Sequence, residues 1–391
     1  MKLLAVALSG LAMALLACSI LAQATRPAID WDKARTLYQR SQRGEKLTDE
    51  ERAYVRMAQA EINAGRGPGR SGPGTRPGPG ARPGAPTTQL AKTGLVPLDQ
   101  MSATDRYKGE DGGLYGKGEN APPKEHLAAA LKALAKVQPL DKDGKPAADG
   151  KIVLMSVGMS NTANEFAVFK AVADKDADKD PRVVVVNGAQ GGMTAMSWSK
   201  ADSKVWQVAE QHLQQAGVTP RQVQVIWLKQ AEAGPAQYGD FPKHAQFLKD
   251  NVVKDVQQVR QHYPNVQVVY LSSRIYAGYA KTGLNPEPYA YEGAFAMRWA
   301  ILDQIAGKPE LNFDPAKGEV KAPVLLWGPY LWADGIAGRK SDSLVWNIDD
   351  LSAGDGTHPS SSGSMKVAKL LLDFFKKDPA AGTWFVKPKD K

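Results

Sequence analysis

Five short runs of aliphatic, largely β-branched residues recur between residues 151 and 327: "KIVLMSV" (151–157), "RVVVVN" (182–187), "VQVIWL" (223–228), "VQVVYL" (266–271) and "PVLLW" (323–327). None alternates strictly between apolar and polar residues, as a strand with one wet face would. Strands apolar on both faces must be covered on both. The intervening sequence supplies the cover, with helix-period stretches near 121–137, 161–173, 199–216, 243–262, 289–306 and 361–376. Strands alternating with helices in this way build a parallel sheet. The expectation is an α/β fold, a three-layer α/β/α domain of about five parallel strands within residues 87–391.

The sequence before that domain is of a different kind. "MKLLAVALSGLAMALLACSILAQA" has a Lys, a long apolar run and a small-residue end, the pattern of an export signal over 1–24. "AQA" at Ala22–Ala24 suits ordinary cleavage and secretion, and is favoured. "LLAC" ending at Cys18 is the alternative, a lipoprotein box that would tie the chain to a membrane through lipid. Either way the location is secreted or periplasmic. Cys18 is the sole cysteine, so no intrachain disulfide can form. Residues 30–64 read as a helical hairpin, with Thr48 and Glu51 at capping-box spacing. "GRGPGRSGPGTRPGPGARPGAP" (65–86) is too poor in apolar residues to fold and reads as a disordered linker. The net charge is +9, but residues 26–86 carry 12 Lys+Arg against 7 Asp+Glu, so the excess lies mainly outside the globular part. Nucleic acid is therefore not an expected partner.

In parallel sheets ligands bind beyond the carboxyl ends of the strands. The loops there are "GMSNTANEF" (158–166), "NGAQGGMTA" (187–195), "KQAEAGPAQYGDF" (from 229), "SSRIYAGYA" (272–280) and "GPYLWADG" (328–335), with "DGTHPSSSG" (355–363) before the last helix. They can support acyl transfer. Ser160 would open a helix after the first strand, where the local field favours developing negative charge. His358 is the base a serine nucleophile needs, and Asp355 would orient its imidazole. An activity carried by that base falls as pH drops below about 6.5. Backbone N–H groups of Ser160 and Gly192, with the side-chain amide of Gln230, could stabilise an oxyanion. At Gly192 a Cβ is expected to obstruct substrate.

These residues resemble the SGNH (GDSL-type) hydrolase superfamily, nearest to its sialate O-acetylesterase-like and carbohydrate acetylesterase members. "GMSN" resembles the nucleophile block, "NGAQGGMT" the second block with the oxyanion glycine at Gly192, and "DGTHPSSSGSMKVA" the Asp-x-x-His block. The four blocks fall in family order over 152–375. The third departs: Gln230 in "WLKQAE" stands where the family offers an Asn after two glycines. The resemblance implies a flavodoxin-like sheet and a serine esterase without metal or cofactor. Its implied substrate is an O-acylated carbohydrate, small or polymeric, with acetyl as the acyl group.

Four further residues are candidate substrate contacts. Arg274 could bind an anionic group or pair with a loop carboxylate, and Trp327, Tyr330 and Trp332 could stack on a sugar ring or pack in the core. Tyr107 and Tyr115 would suit a lid formed by 87–120. His126, His212, His244 and His262 have no metal-ligand spacing and read as surface or helix-end residues. A non-catalytic carbohydrate- or surface-binding protein on the same scaffold is the alternative.

Overall fold

The computed structural model describes residues 29–42, 47–63 and 89–388. The export signal expected over 1–24 and the linker expected over 65–86 lie outside the described residues. The chain divides into two compact units, residues 1–78 and 79–391. In the first, α1 (Trp31–Gln42) and α2 (Asp49–Asn63) form the expected helical pair. The capping box is present: Glu51 N–H donates to Thr48 Oγ1 at 3.2 Å and Thr48 N–H to Glu51 Oε2 at 2.8 Å.

The second unit is the expected parallel α/β domain. Its strands are β1 (Ile152–Gly158), β2 (Val183–Asn187), β3 (Val223–Lys229), β4 (Val268–Ser272) and β5 (Val324–Trp327). They are all parallel, in the order β2-β1-β3-β4-β5. Every residue of β1, β3, β4 and β5 is buried, which is why these runs lack alternation. The helices are α3 (Lys124–Leu134), α4 (Ser160–Ala173), α5 (Ala195–Trp198), α6 (Lys204–Gln215), α7 (Lys243–His262), α8 (Tyr289–Ile305), α9 (Ser361–Lys377) and α10 (Gly382–Phe385). Helices α4 and α9 pack together, as do α7 and α8, and helices flank the sheet. Trp227 of β3 stacks on Phe166 of α4 with ring centroids 5.5 Å apart, joining sheet to helix. The chain leaves β1 first towards β2 and then returns to the other side as β3. That reversal opens a crevice at the carboxyl ends of β1 and β3.

The helix expected over 199–216 begins only at Lys204, as α6, and the short α5 (Ala195–Trp198) precedes the expected range. Trp198 and Trp206 pack edge to face across the break at 4.8 Å, and Trp206 Nε1 donates to the Lys200 carbonyl at 3.0 Å. Residues 89–120 form a packed strap and not a lid. Arg298 of α8 ion-pairs with Glu110 at 2.5 Å and Asp111 at 3.1 Å. Tyr107 donates its hydroxyl to Glu292 Oε1 at 2.6 Å, among Phe241, Tyr291 and Phe295. The Tyr115 hydroxyl accepts the Trp327 N–H at 3.3 Å. On the same strand Leu325 N–H donates to Gln304 Oε1 at 2.7 Å, and the Leu325 carbonyl meets His126 Nε2 at 2.8 Å.

Candidate active site

Strand β1 ends at Gly158, where a Cβ would lie 2.3 Å from the Lys229 carbonyl oxygen and 2.4 Å from Thr162 Oγ1. Only glycine lets α4 start this close to β3. Met159, in extended conformation, is the N-cap, and Ser160 is the first residue of α4. Ser160 therefore does not cap the helix, and its hydroxyl is turned to another partner. Ser160 Oγ lies 2.7 Å from His358 Nε2, and His358 Nδ1 lies 2.6 Å from Asp355 Oδ2. The other oxygen, Asp355 Oδ1, accepts the N–H groups of Thr357 at 2.9 Å and His358 at 3.0 Å.

That geometry sets the protonation pattern. Burial raises the Asp355 carboxyl. Hydrogen bonds from the His358 ring, the His358 N–H and the Thr357 N–H outweigh it and hold the group at about 2. An ionised Asp355 can only accept, so Nδ1 carries the imidazole proton and Nε2 offers its lone pair to the Ser160 hydroxyl. The three side chains come from the end of β1 and the turn before α9, and both elements close on the same end of the sheet. The turn is built tightly. Gly356 has φ +64°, and a Cβ there would lie 1.9 Å from the Tyr279 carbonyl oxygen. The Ser352 N–H donates to the His358 carbonyl and the Gly356 N–H to the Ser352 carbonyl, each at 2.7 Å. Ser360 then caps α9 through Gly363 N–H at 3.4 Å.

Beside the nucleophile the chain turns over Gln190–Met193. Gln190 N–H donates to the Gly158 carbonyl at 3.0 Å, and Met193 N–H to the Gln190 carbonyl at 3.3 Å. A Cβ on Gly191 would stand 4.0 Å from Ser160 Cβ, so the turn lies against the serine. Gly192 occupies the third position with φ +77°, the left-handed value that a type II turn demands. A Cβ there would meet no protein atom within 4 Å, so within the fold it is the dihedral and not crowding that calls for glycine. Among the described residues, neither the Ser160 nor the Gly192 N–H is spent on a protein acceptor. The loop after β3 supports the turn, since Ala231 carbonyl accepts Ala195 N–H at 3.2 Å and Glu232 Oε1 accepts Met196 N–H at 2.9 Å. Gly192→Ala is expected to cost about 1–2 kcal/mol for the left-handed dihedral. Its kcat should fall about 10- to 100-fold as the donor N–H moves; melting curves and kinetics on the same preparation check both.

Gln230 follows the Gly158–Lys229 register pair, alongside Met159. It is buried, and among the described residues neither Oε1 nor Nε2 of its amide has a partner. The four candidate substrate contacts fare otherwise. Arg274 is buried and donates from Nη2 to the Thr357 carbonyl at 3.3 Å, so it sits behind the His358 turn and not in the cleft. Burial lowers its guanidinium pKa against the opposing pull of the Glu165, Glu287 and Asp355 carboxylates. Trp327, Tyr330 and Trp332 are core residues. Trp327 Nε1 donates to the Leu114 carbonyl at 2.6 Å, the Tyr330 hydroxyl accepts Leu98 N–H at 3.2 Å, and Trp332 Nε1 donates to Glu287 Oε1 at 2.8 Å. The 89–120 strap covers the first two, which leaves no ring face for a sugar.

The sequence reading missed a buried ion pair between Lys229, the last residue of β3, and Glu165 of α4. Burial pushes the Lys229 ammonium down to about 8 and the Glu165 carboxyl up. A lysine closing a strand whose preceding four residues, Val225–Leu228, are all apolar was the available signal. The four remaining histidines stand at helix ends, as expected, but two of them are buried: His126, bound to the Leu325 carbonyl, and His244, 2.6 Å from Glu292 Oε2. His212 meets the Asn187 carbonyl at 2.8 Å and His262 stacks on Trp206 at 4.3 Å. Among the described residues no group of three His, Cys, Asp or Glu could hold a metal, and no helix is long and apolar enough to cross a membrane. Compared with models of known protein families and with curated proteins, the chain matches none.

Proposed function

We propose that this chain is an exported serine esterase of SGNH type that removes O-acyl groups, acetyl first among them, from carbohydrate. The observation that carries the reading is the chain of contacts from Ser160 Oγ to His358 Nε2 at 2.7 Å and from His358 Nδ1 to Asp355 Oδ2 at 2.6 Å. Ser160 Oγ attacks the ester carbonyl as its proton passes to Nε2, and Asp355 stabilises the imidazolium so formed. The oxyanion is met by the N–H groups of Ser160 and Gly192, with the unpartnered Gln230 amide as the third donor. The tetrahedral adduct collapses as Nε2 returns the proton to the leaving sugar oxygen, which leaves an acyl ester on Ser160. Water, deprotonated by Nε2, then attacks that ester and releases the carboxylic acid. Substrate class and export rest on the resemblance of the sequence blocks and on the leader at 1–24. The alternative, a non-catalytic carbohydrate- or surface-binding protein on the same scaffold, draws on Gln230 standing where the family offers an Asn and on the helical segment at 30–64; the burial of Trp327, Tyr330 and Trp332 removes only their ring faces from it.

Hydrolysis of p-nitrophenyl acetate by the full chain, wild type beside Ser160→Ala, tests the proposal. Turnover in the wild type that vanishes in the variant is the expected result, followed by acetate release from acetylated polysaccharides. Equal background rates in both, with no covalent labelling of Ser160 by a fluorophosphonate, would overturn it.

A further inference from the structure

The carbonyl of Thr357, immediately before His358, accepts two side-chain hydrogen bonds: from Asn161 Nδ2 at 3.0 Å and from Arg274 Nη2 at 3.3 Å. Asn161 follows the nucleophile on α4, and Arg274 stands two residues beyond the end of β4. One oxygen atom thus fastens the His358 turn both to the helix that carries Ser160 and to the neighbouring strand end. The turn has need of it, because the Asp355 and His358 side chains are only partly buried and packing alone does not fix them. Stripping water from a guanidinium is unfavourable unless the charge is answered. Glu165, Glu287 and Asp355 oppose that cost without cancelling it: burial still lowers the guanidinium, the Lys229 ammonium is also close by, and among the described residues Nε has no partner, which leaves the Thr357 carbonyl as the acceptor that fixes the group.

We propose that Arg274 is a positioning residue for His358: acting through the Thr357 carbonyl, it holds the Asp355–His358 turn so that Nε2 stays in line with Ser160 Oγ. The inference rests on the esterase reading for its kinetic consequence, since a displacement of about 1 Å at the base costs on the order of 100-fold in rate. The geometric consequence is independent of any substrate.

The test uses the full chain labelled with 15N-histidine. The low-field proton resonance of the Nδ1–H between His358 and Asp355 is identified by its loss in His358→Ala. In Arg274→Met that resonance is expected to move or broaden away, kcat for p-nitrophenyl acetate to fall about 10- to 100-fold, and KM to stay within about twofold. Arg274→Lys keeps the charge but lacks the planar fork, and is expected to lose about tenfold in kcat, again at constant KM. If Arg274→Met does not fold, Arg274→Lys decides on the same readouts. A folded variant with the wild-type resonance and kcat would overturn the inference. So would a rise in KM at constant kcat, because that marks a substrate contact. Disturbed resonance in variants of a wild type that hydrolyses nothing would leave the positioning role standing and sink the esterase reading instead.

Discussion

His358→Ala is expected to lower kcat on p-nitrophenyl acetate by about 10⁶-fold, as far as Ser160→Ala does, and the double variant should fall no further. The reason lies in the contact chain. Without the Nε2 lone pair 2.7 Å from Ser160 Oγ, the hydroxyl has no acceptor for its proton, and removing either partner removes the same step. Asp355→Asn should lose less, about 10⁴-fold, because an amide can donate to Nδ1 and so favour the wrong imidazole tautomer. The pH dependence separates the two side chains. The Asp355 carboxyl, held at about 2, stays ionised far into acid, so its own titration contributes no acid limb above pH 4; this carboxyl also bears on stability. Its folded-state value lies below the usual 3.8, so its contribution to stability is present above pH 3.8 and is lost as pH falls through about 2. Steady-state rates from pH 4 to 9 check the first statement, and a rate that stays flat down to pH 4 would remove His358 as the base.

Gly356→Ala is expected to destabilise the fold by more than about 4 kcal/mol and to abolish activity with it. Two effects add at this position. The left-handed dihedral disfavours any side chain, and the new Cβ would lie 1.9 Å from the Tyr279 carbonyl oxygen, a backbone atom with no rotamer to yield. The contrast with Gly192→Ala is the control, because the same class of dihedral there opens onto empty space. Denaturant titration of both variants measures the difference; a Gly356→Ala protein within about 1 kcal/mol of Gly192→Ala would mean that the two turns are not held as described.

What the sequence made legible was local. Helix α7 lies on its expected bounds, 243–262, because Pro242 precedes it and Tyr263–Pro264 follows, so punctuation and period agree. Asp355 and His358 were legible because three residues bring a carboxylate onto both the ring and the backbone of the same turn. The illegible parts were pairings across long separations. Trp327 reads equally well as a platform for a sugar or as core, and the choice is made by Leu114 and Tyr115, more than 200 residues away. Lys229 and Glu165, 64 residues apart, each look alone like an amphipathic side chain with its head in water. Arg274 likewise carried no mark of the Thr357 carbonyl behind it.

The polar groups along the outer side of β5 are already taken. Leu325 gives its N–H to Gln304 and its carbonyl to His126, and Trp327 gives its N–H to the hydroxyl of Tyr115. An extended peptide approaching from outside would find no free ladder to join at these residues. Growth of the sheet from one molecule into the next is therefore closed on this flank. A histidine, a glutamine and a tyrosine from three separate segments thus act as a terminus for the sheet, and losing any one of them reopens a rung.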